Sequence, residues 1–492
     1  MNRRDFLKLA GLGAAALALP TGLNRPTAWA ADAPAAKSLP NLVVILIDDM
    51  GYGDIEPYGS KVNRTPNLVR MAAEGMKLTS FYAAPVCTPS RAQMMTGCYA
   101  KRVSLPNVLG PVSQVGISAG ERTVADLLKA RGYATMCIGK WHLGDQPEYL
   151  PTHHGFDKYL GLPYSNDMGG AGKAAKKPNG KADGRPPLPL VRDDKVIEAP
   201  ADQDKLTALY TAEAVKFITA NKDQPFFLYL PHTAVHTPIH PGQAFQGKSA
   251  NGRYGDWVEE VDWSVGRVLD TLRELKLDSR TLVLFTSDNG PWLIQGKDAG
   301  VAGPLRSGKG TTWEGGVREP TIAWWPGKIA AGAACDAPVS EMDVLPTLVK
   351  LAGGQVPADR VIDGRDIWPL LSGQSKESPH EALFYFHGNR LEAVRSGPWK
   401  LAIAHQGTGI RNATPAEAAQ PFTPVLYNLD TDIGETTDVA TQHPDVVKRL
   451  QEYVAKMDAD LGVKGTGPGV RDSGHVTAPK ALEMVRVAME YD

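Results

Sequence analysis

Asn41-Leu42-Val43-Val44-Ile45-Leu46-Ile47-Asp48-Asp49 decides the architecture. Six apolar residues in a row, four of them β-branched, are too few for a stable helix. They lack the period of a strand that is wet on one side, and so read as a central parallel strand buried on both faces. Two carboxylates follow at its carboxyl end, where open α/β sheets place their ligands. Thr281-Leu282-Val283-Leu284-Phe285-Thr286 repeats the pattern and runs into Ser287-Asp288-Asn289-Gly290. Adjacent buried carboxylates repel and call for a cation, and Asp and Asn oxygens suit Ca²⁺ or Mg²⁺ better than zinc or copper. Helix caps and Asx turns are the structural alternative for each pair taken alone.

Working outward, further strands are expected at Tyr133 to His142, Pro225 to Leu230 and Pro320 to Trp325. Helices are expected over 65–75, Thr123 to Arg131, Thr207 to Ala220, Trp257 to Leu275 and Val344 to Leu351. Strands alternating with helices predict a large, mainly parallel sheet sandwiched by helices. Period two would put Lys140 and His142 on one side of their strand. Beyond residue 375 the pattern changes to short strands at Ala382 to Phe386, Glu392 to Arg395, Trp399 to Ile403 and Val425 to Leu429, then a helix over Pro444 to Asp458. This is a smaller antiparallel sheet with one packed helix. The division expected is 1–30 as a signal, 31–375 as a catalytic domain and 376–492 as an α+β subdomain.

The segment Val86-Cys87-Thr88-Pro89-Ser90-Arg91-Ala92-Gln93-Met94-Met95-Thr96-Gly97 reads as a turn feeding a helix, with Thr88 as N-cap, Pro89 at the first position and Gly97 at C′. Cys87 would then precede a helix N-terminus, where free N–H groups favour an anion, with Arg91 one turn on. His232, His236 and His240 have a spacing that would suit zinc on a helix, but Pro231, Pro238 and Pro241 forbid the helix. The glycine-rich stretch 303–320 is no phosphate loop, since Lys309 is followed by Gly310. Residues 168–190 read as a Gly/Lys/Pro-rich excursion, either a rim loop or a solvated linker.

The Cys87 string resembles the signature of the type I sulfatases. Gly132-Tyr133 through Gly139-Lys140-Trp141-His142-Leu143-Gly144 is similar to that family's second signature, in the arylsulfatase A and N-acetylgalactosamine-6-sulfatase branch. The resemblance implies an alkaline-phosphatase-like fold and hydrolysis of aryl or carbohydrate sulfate esters. It implies that Cys87 is oxidised to formylglycine, whose hydrate is the nucleophile. It also implies metal ligands at Asp48, Asp49, residue 87, Asp288 and Asn289 for Ca²⁺ ahead of Mg²⁺. Cys87, Arg91, Lys140, His142 and His236 match catalytic positions; Lys140, Ser165, His236 and Lys309 match substrate-binding ones. Two alternatives stand beside it: a phosphate or phosphonate ester hydrolase on the same scaffold, and a non-catalytic glycan-binding relative.

The 492 residues carry a formal net charge of −1, with +3 in the first thirty and −4 in the rest, so nothing selects a nucleic acid. Asn2-Arg3-Arg4-Asp5-Phe6-Leu7-Lys8, an apolar run from Leu9 to Leu19 and Ala28-Trp29-Ala30 resemble a twin-arginine signal with its cleavage site. The run is too short for a stable membrane span. A periplasmic or secreted location is expected, with a formylglycine-generating enzyme as partner before export and a small-molecule or oligosaccharide sulfate ester as substrate. Four cysteines are too few for a disulfide-built scaffold.

Overall fold

The computed structural model describes residues 39–170, 184–407 and 413–484. The signal segment, the middle of the 168–190 excursion and residues 408–412 lie outside the described residues. Ala35–Asp492 forms one compact unit.

Among the described residues the large sheet has eleven strands. Ten run in the order Ala333–Cys335, Met76–Tyr82, Arg318–Trp324, Thr281–Ser287, Asn41–Ile47, Phe226–Pro231, Ala134–Ile138, Lys158–Gly161, Leu190–Arg192 and Lys195–Glu198; Val339–Ser340 pairs off this path with Met76–Tyr82. The five strands from Thr281–Ser287 to Lys158–Gly161 are mutually parallel. Arg318–Trp324 runs antiparallel to both its neighbours, and the Leu190–Arg192 and Lys195–Glu198 pair forms an antiparallel edge.

Asn41–Ile47 is buried along its whole length. Its pleat sends Leu42, Val44 and Leu46 into one hydrophobic cluster with Ala92, Met95, Val124, Leu128 and Leu345. Val43, Ile45 and Ile47 enter the other, with Tyr210, Phe217, Val258, Val261 and Leu269. Each face thus packs on helices: Cys87–Thr96, Val124–Lys129 and Val344–Leu351 on one side, Leu206–Ala220 and Gly252–Glu274 on the other. Burying a Val, Leu or Ile fully is worth about 1.5–3 kcal/mol, so this strand anchors both layers.

Two local expectations are corrected. The strand after Gly132 ends at Ile138, so period two does not place Lys140 and His142. Gly139 turns the chain at φ 131°, where a Cβ would meet the Pro231 carbonyl oxygen at 1.8 Å, and His142 itself has φ 62°. The second concerns the Cys87 helix, which starts at Cys87 with extended Val86 as N-cap. Thr88 is no cap, because its hydroxyl accepts from the Leu109 amide at 3.2 Å. Cys87 therefore sits in the first turn. Gly97 ends the helix in the left-handed region at φ 68°.

The second sheet, Leu383–His387, Arg390–Ser396, Trp399–Ala402 and Val425–Asn428, is antiparallel throughout. The helix Pro444–Asp460 packs on it through Val446 and Leu450 against Val394, Leu401 and Leu426. All four cysteines are free thiols.

Candidate active site

Register assembles the centre. Ile47 pairs with Ser287, so Asp48-Asp49 and Asp288-Asn289 emerge side by side from adjacent parallel strands. The Asp288 amide donates to the Ile47 carbonyl at 2.9 Å, and the Asp49 amide to Asp288 Oδ1 at 3.3 Å. The loop after Phe226–Pro231 docks on the same end, with Val235 N donating to the Asp48 carbonyl at 2.8 Å. Asp49 has φ 63°, so both it and His142 hold left-handed backbone, a strain that clusters at functional sites.

Three cations reach this point from three other segments. Arg91 donates Nε and Nη2 to Asp288 Oδ2 at 3.0 and 2.8 Å, and its Nη1 to the Lys140 carbonyl at 2.5 Å. Lys140 Nζ lies 2.5 Å from Asp48 Oδ2 and 3.1 Å from Ser165 Oγ. Lys309 Nζ lies 2.6 Å from Asp49 Oδ1, which also accepts from Asn289 Nδ2 at 2.7 Å. His236 Nε2 is 3.6 Å from Asp49 Oδ2. Cys87, 2 % exposed, is close enough to feel Lys140, Lys309, Asp48 and Asp288. Ser90, one turn on, donates its hydroxyl to the Asp288 carbonyl and so ties the helix to the metal-ligand candidates.

The electrostatics split the carboxylates. Burial alone would raise Asp48, but Lys140, Arg91 and Lys309 hold it well below the usual range. Burial raises Asp49 against the pull of Lys309, with the Asp48 charge adding to the rise. Burial and the Asp48 charge push Asp288 up to about 6, against Arg91. Burial outweighs Lys140 and Lys309 at Cys87, so the unmodified thiol is pushed up and stays protonated. His236 falls to about 3, from burial and then Lys309; His142 falls well below its ordinary value, from burial and then Lys140 and Arg91.

Carbonyl oxygens only accept, which fixes both imidazole tautomers. His142 Nε2 lies 2.8 Å from the Leu109 carbonyl, so it carries the proton and leaves Nδ1 as a buried lone pair with no partner. His236 Nδ1 donates to the Thr237 carbonyl at 2.6 Å, leaving Nε2 toward the centre. His232 and His240, the neighbours of His236 in the sequence, point elsewhere. His232 meets Ser264 Oγ at 3.2 Å, and His240 Nδ1 pairs with Asp204 at 2.7 Å.

Whether these residues fit a cation is testable on their own oxygens. Asp48 Oδ1, Asp49 Oδ2 and Asn289 Oδ1 are buried and have no hydrogen-bond donor among the described residues. Ligand atoms of Asp48, Asp49 and His236 lie within 4.8 Å of one another. Orphaned hard oxygens converging in a buried site are costly unless a hard cation takes them, so the residues fit Ca²⁺ or Mg²⁺. Three carboxylates face Arg91, Lys140 and Lys309 here, so a bound dication would leave the centre net positive and selective for an anion.

Residues 40–354 match the family model described as "Sulfatase", and residues 378–467 match "C-terminal region of aryl-sulfatase". The chain belongs to the sulfatase family. It is 41% identical to arylsulfatase A of Bos taurus over 459 residues, 87% of this chain and 90% of the relative. It is 43% identical to N-acetylgalactosamine-6-sulfatase of Sus scrofa over 466 residues, 86% of each. The crystal structure of the PsFucS1 sulfatase from Pseudoalteromonas sp. superimposes with a TM-score of 0.76 at 30% identity, covering 85% of this chain and 91% of that one. This sulfatase is thus a sulfuric ester hydrolase with the alkaline-phosphatase-like fold. Residues 1–20 match the twin-arginine translocation signal, which sends the protein to the periplasm or beyond. Among the described residues no helix is long and apolar enough to cross a membrane.

The structure brings nine of the eleven residues singled out from sequence together through direct contacts, and Cys87 joins them through the charges of Lys140, Lys309, Asp48 and Asp288. His142 joins them through the charges of Lys140 and Arg91. One neighbour gave no signal in the sequence. Trp292 follows Asp288-Asn289-Gly290-Pro291, with its ring 5.3 Å from that of His236 and 4.7 Å from Lys309 Nζ.

Proposed function

We propose that this sulfatase cleaves sulfate monoesters of ring-bearing alcohols, aryl or carbohydrate, at the carboxyl ends of its central strands. The observation that supports this is the meeting of buried Cys87 with orphaned Asp48, Asp49 and Asn289 oxygens and with Arg91, Lys140 and Lys309. Asp48, Asp49, Asp288, Asn289 and residue 87 would hold a divalent cation, Ca²⁺ ahead of Mg²⁺, which when bound polarises a sulfate oxygen. Cys87, oxidised to formylglycine before export, supplies as its hydrate a geminal diol to attack sulfur. The raised thiol pKa disfavours the alternative in which cysteine itself attacks.

The chain's own groups then divide the work. Lys140, Lys309 and Arg91 bring positive charge to the sulfate oxygens from buried positions, where such charge acts most strongly. Ser165 holds Lys140 by accepting from Nζ. His236 Nε2 holds a proton for the leaving oxygen. The imidazole is neutral at rest, and the negative charge of a bound ester raises its pKa and loads it. His142 Nδ1, a lone pair facing no donor, takes the proton released when sulfate is expelled. Residues 31–375 carry this chemistry, and 376–492 support the segment bearing Lys309.

The test is steady-state release of sulfate from 4-nitrophenyl sulfate, compared with phosphate from 4-nitrophenyl phosphate, on protein whose residue-87 peptide has been weighed. Faster sulfate release with the aldehyde at 87 is expected. Faster phosphate release would move the site to the phosphate ester class. An intact thiol on the exported protein would make it a non-catalytic binder.

A further inference from the structure

Trp292 borders the catalytic centre beside His236 and Lys309. Its ring is 5.3 Å from the His236 ring at an interplanar angle of 44°, and Lys309 Nζ lies 4.7 Å from its centroid. The side chain is half-buried, so one part packs on the site and the rest meets solvent. Its loop is pinned to the Lys309 segment, because the Lys309 amide donates to the Pro291 carbonyl at 3.0 Å. Ile294, two residues on, is 53% exposed. Asp167 follows Asn166, whose Nδ2 donates to the His236 carbonyl at 3.3 Å, and its Oδ1 is buried with no donor among the described residues.

We propose that Trp292 is the specificity-determining platform of this enzyme, on which the ring of the leaving alcohol stacks beside His236. The inference rests on His236 serving the leaving oxygen, as argued above. Anchored at the sulfate end by lysines and at the alcohol end by an indole, the site selects a ring with an apolar face, aromatic or pyranose. Asp167 separates the two sources. A sugar offers it a hydroxyl or amide N–H, and a nitrophenyl ring offers none.

The experiment compares Trp292→Ala and Trp292→Phe on 4-nitrophenyl sulfate, N-acetylgalactosamine 6-sulfate and ringless ethyl sulfate, after thermal melts show each variant folded. Trp292→Ala is expected to raise KM for whichever ring ester the wild type cleaves by roughly five- to tenfold, with kcat within about twofold. Ethyl sulfate kcat/KM should stay within about twofold of wild type, and Trp292→Phe should restore most of the ring-ester KM. Asp167→Asn raises KM for the sugar alone if the natural ring is a pyranose, and for neither ester if it is aryl. An equal fall for ethyl sulfate and ring esters would show that Trp292 merely holds His236 and Lys309, and would overturn the platform. A wild type with aldehyde at 87 that cleaves none of the three esters would overturn the functional reading and the platform with it. Equilibrium binding of N-acetylgalactosamine 6-sulfate and 4-nitrophenyl sulfate to Cys87→Ala keeps the two failures apart. Ring-ester affinity unchanged by adding Trp292→Ala would sink the platform alone.

Discussion

Two clusters of buried charge lie in this fold, and they differ in whether the chain completes them. Where the turn Glu314–Val317 meets the four-stranded sheet, Glu314 Oε1 is 2.9 Å from Lys400 Nζ, and its Oε2 accepts from the Tyr82 hydroxyl at 2.6 Å and from Arg318 at 3.2 Å. Glu435 Oε1 is 2.8 Å from the same Lys400, and Oε2 accepts from the Glu314 amide at 2.7 Å. Burial would raise Glu314, yet Lys400, Arg318 and Arg395 bring it down to about 2. In the catalytic centre the charges are as deep, but three oxygens face no donor among the described residues, whereas the one junction oxygen outside a hydrogen bond, Glu435 Oε1, lies 2.8 Å from Lys400 Nζ. A buried cluster completed from within the chain serves the fold, and one left open is a seat for something else.

Substituting one member of each cluster should therefore have opposite consequences. Asp49→Asn keeps the shape but removes a charge that repels Asp48. Activity should fall by about 10³-fold, because Lys309 and the cation both lose their partner. Thermal stability in excess chelator should equal or exceed that of the wild type. Added Ca²⁺ should then raise the wild-type melting temperature, by roughly 2.7 kcal/mol of stabilisation at a hundredfold excess over its dissociation constant, and leave the variant's unmoved. A variant that keeps turnover, or that melts earlier than wild type without metal, would mean the centre is as complete as the junction.

Lys400→Met tests the other side. It strands Glu314 and Glu435 without their shared cation, at a cost of about 3–5 kcal/mol. Urea unfolding should show this, while kcat/KM per folded molecule should stay within severalfold. Lost turnover without lost stability would make the junction part of the site.

The open cluster was legible in the sequence because it follows apolar runs. Asp48, Asp49, Asp288 and Asn289 stand directly after segments that only a buried strand explains, and register does the rest. Lys140 and His142 were legible through the resemblance and not through periodicity, since Gly139 breaks the strand before them. The strand Met76–Tyr82 gives a weak signal because Lys77 and Thr79, which are half-exposed, dilute its apolar run. Trp292 could not be found locally at all. Nothing in its own neighbourhood in sequence says that His236 and Lys309 will fold against it. The Lys400 junction is hidden for the same reason, as its partners are 86 residues away at Glu314 and 313 away for the Arg395–Tyr82 contact.

His232 gives a third kind of buried polar group, smaller in effect and completed by neither cation nor carboxylate. It is fully buried, its Nε2 meets Ser264 Oγ at 3.2 Å, its ring lies 6.1 Å from that of Tyr210, and burial alone lowers its pKa from 6.5 to about 3. A depressed pKa means that the unfolded chain takes up a proton that the folded one refuses. Stability from this group is fully present above pH 6.5 and is lost as pH falls from there toward 3, at about 1.4 kcal/mol per pH unit while only the unfolded state is charged. His232→Gln removes the titration and keeps a polar partner for Ser264. The variant should lose up to about 1 kcal/mol at pH 7.5, where the imidazole is neutral in both states. Its deficit should shrink and change sign as unfolding is followed down to pH 5. Carboxylates elsewhere titrate equally in both proteins, so the difference between the two curves isolates His232. Parallel curves would mean that the buried imidazole carries its proton in the fold, and would place an acceptor near Nδ1, the atom that has no partner among the described residues.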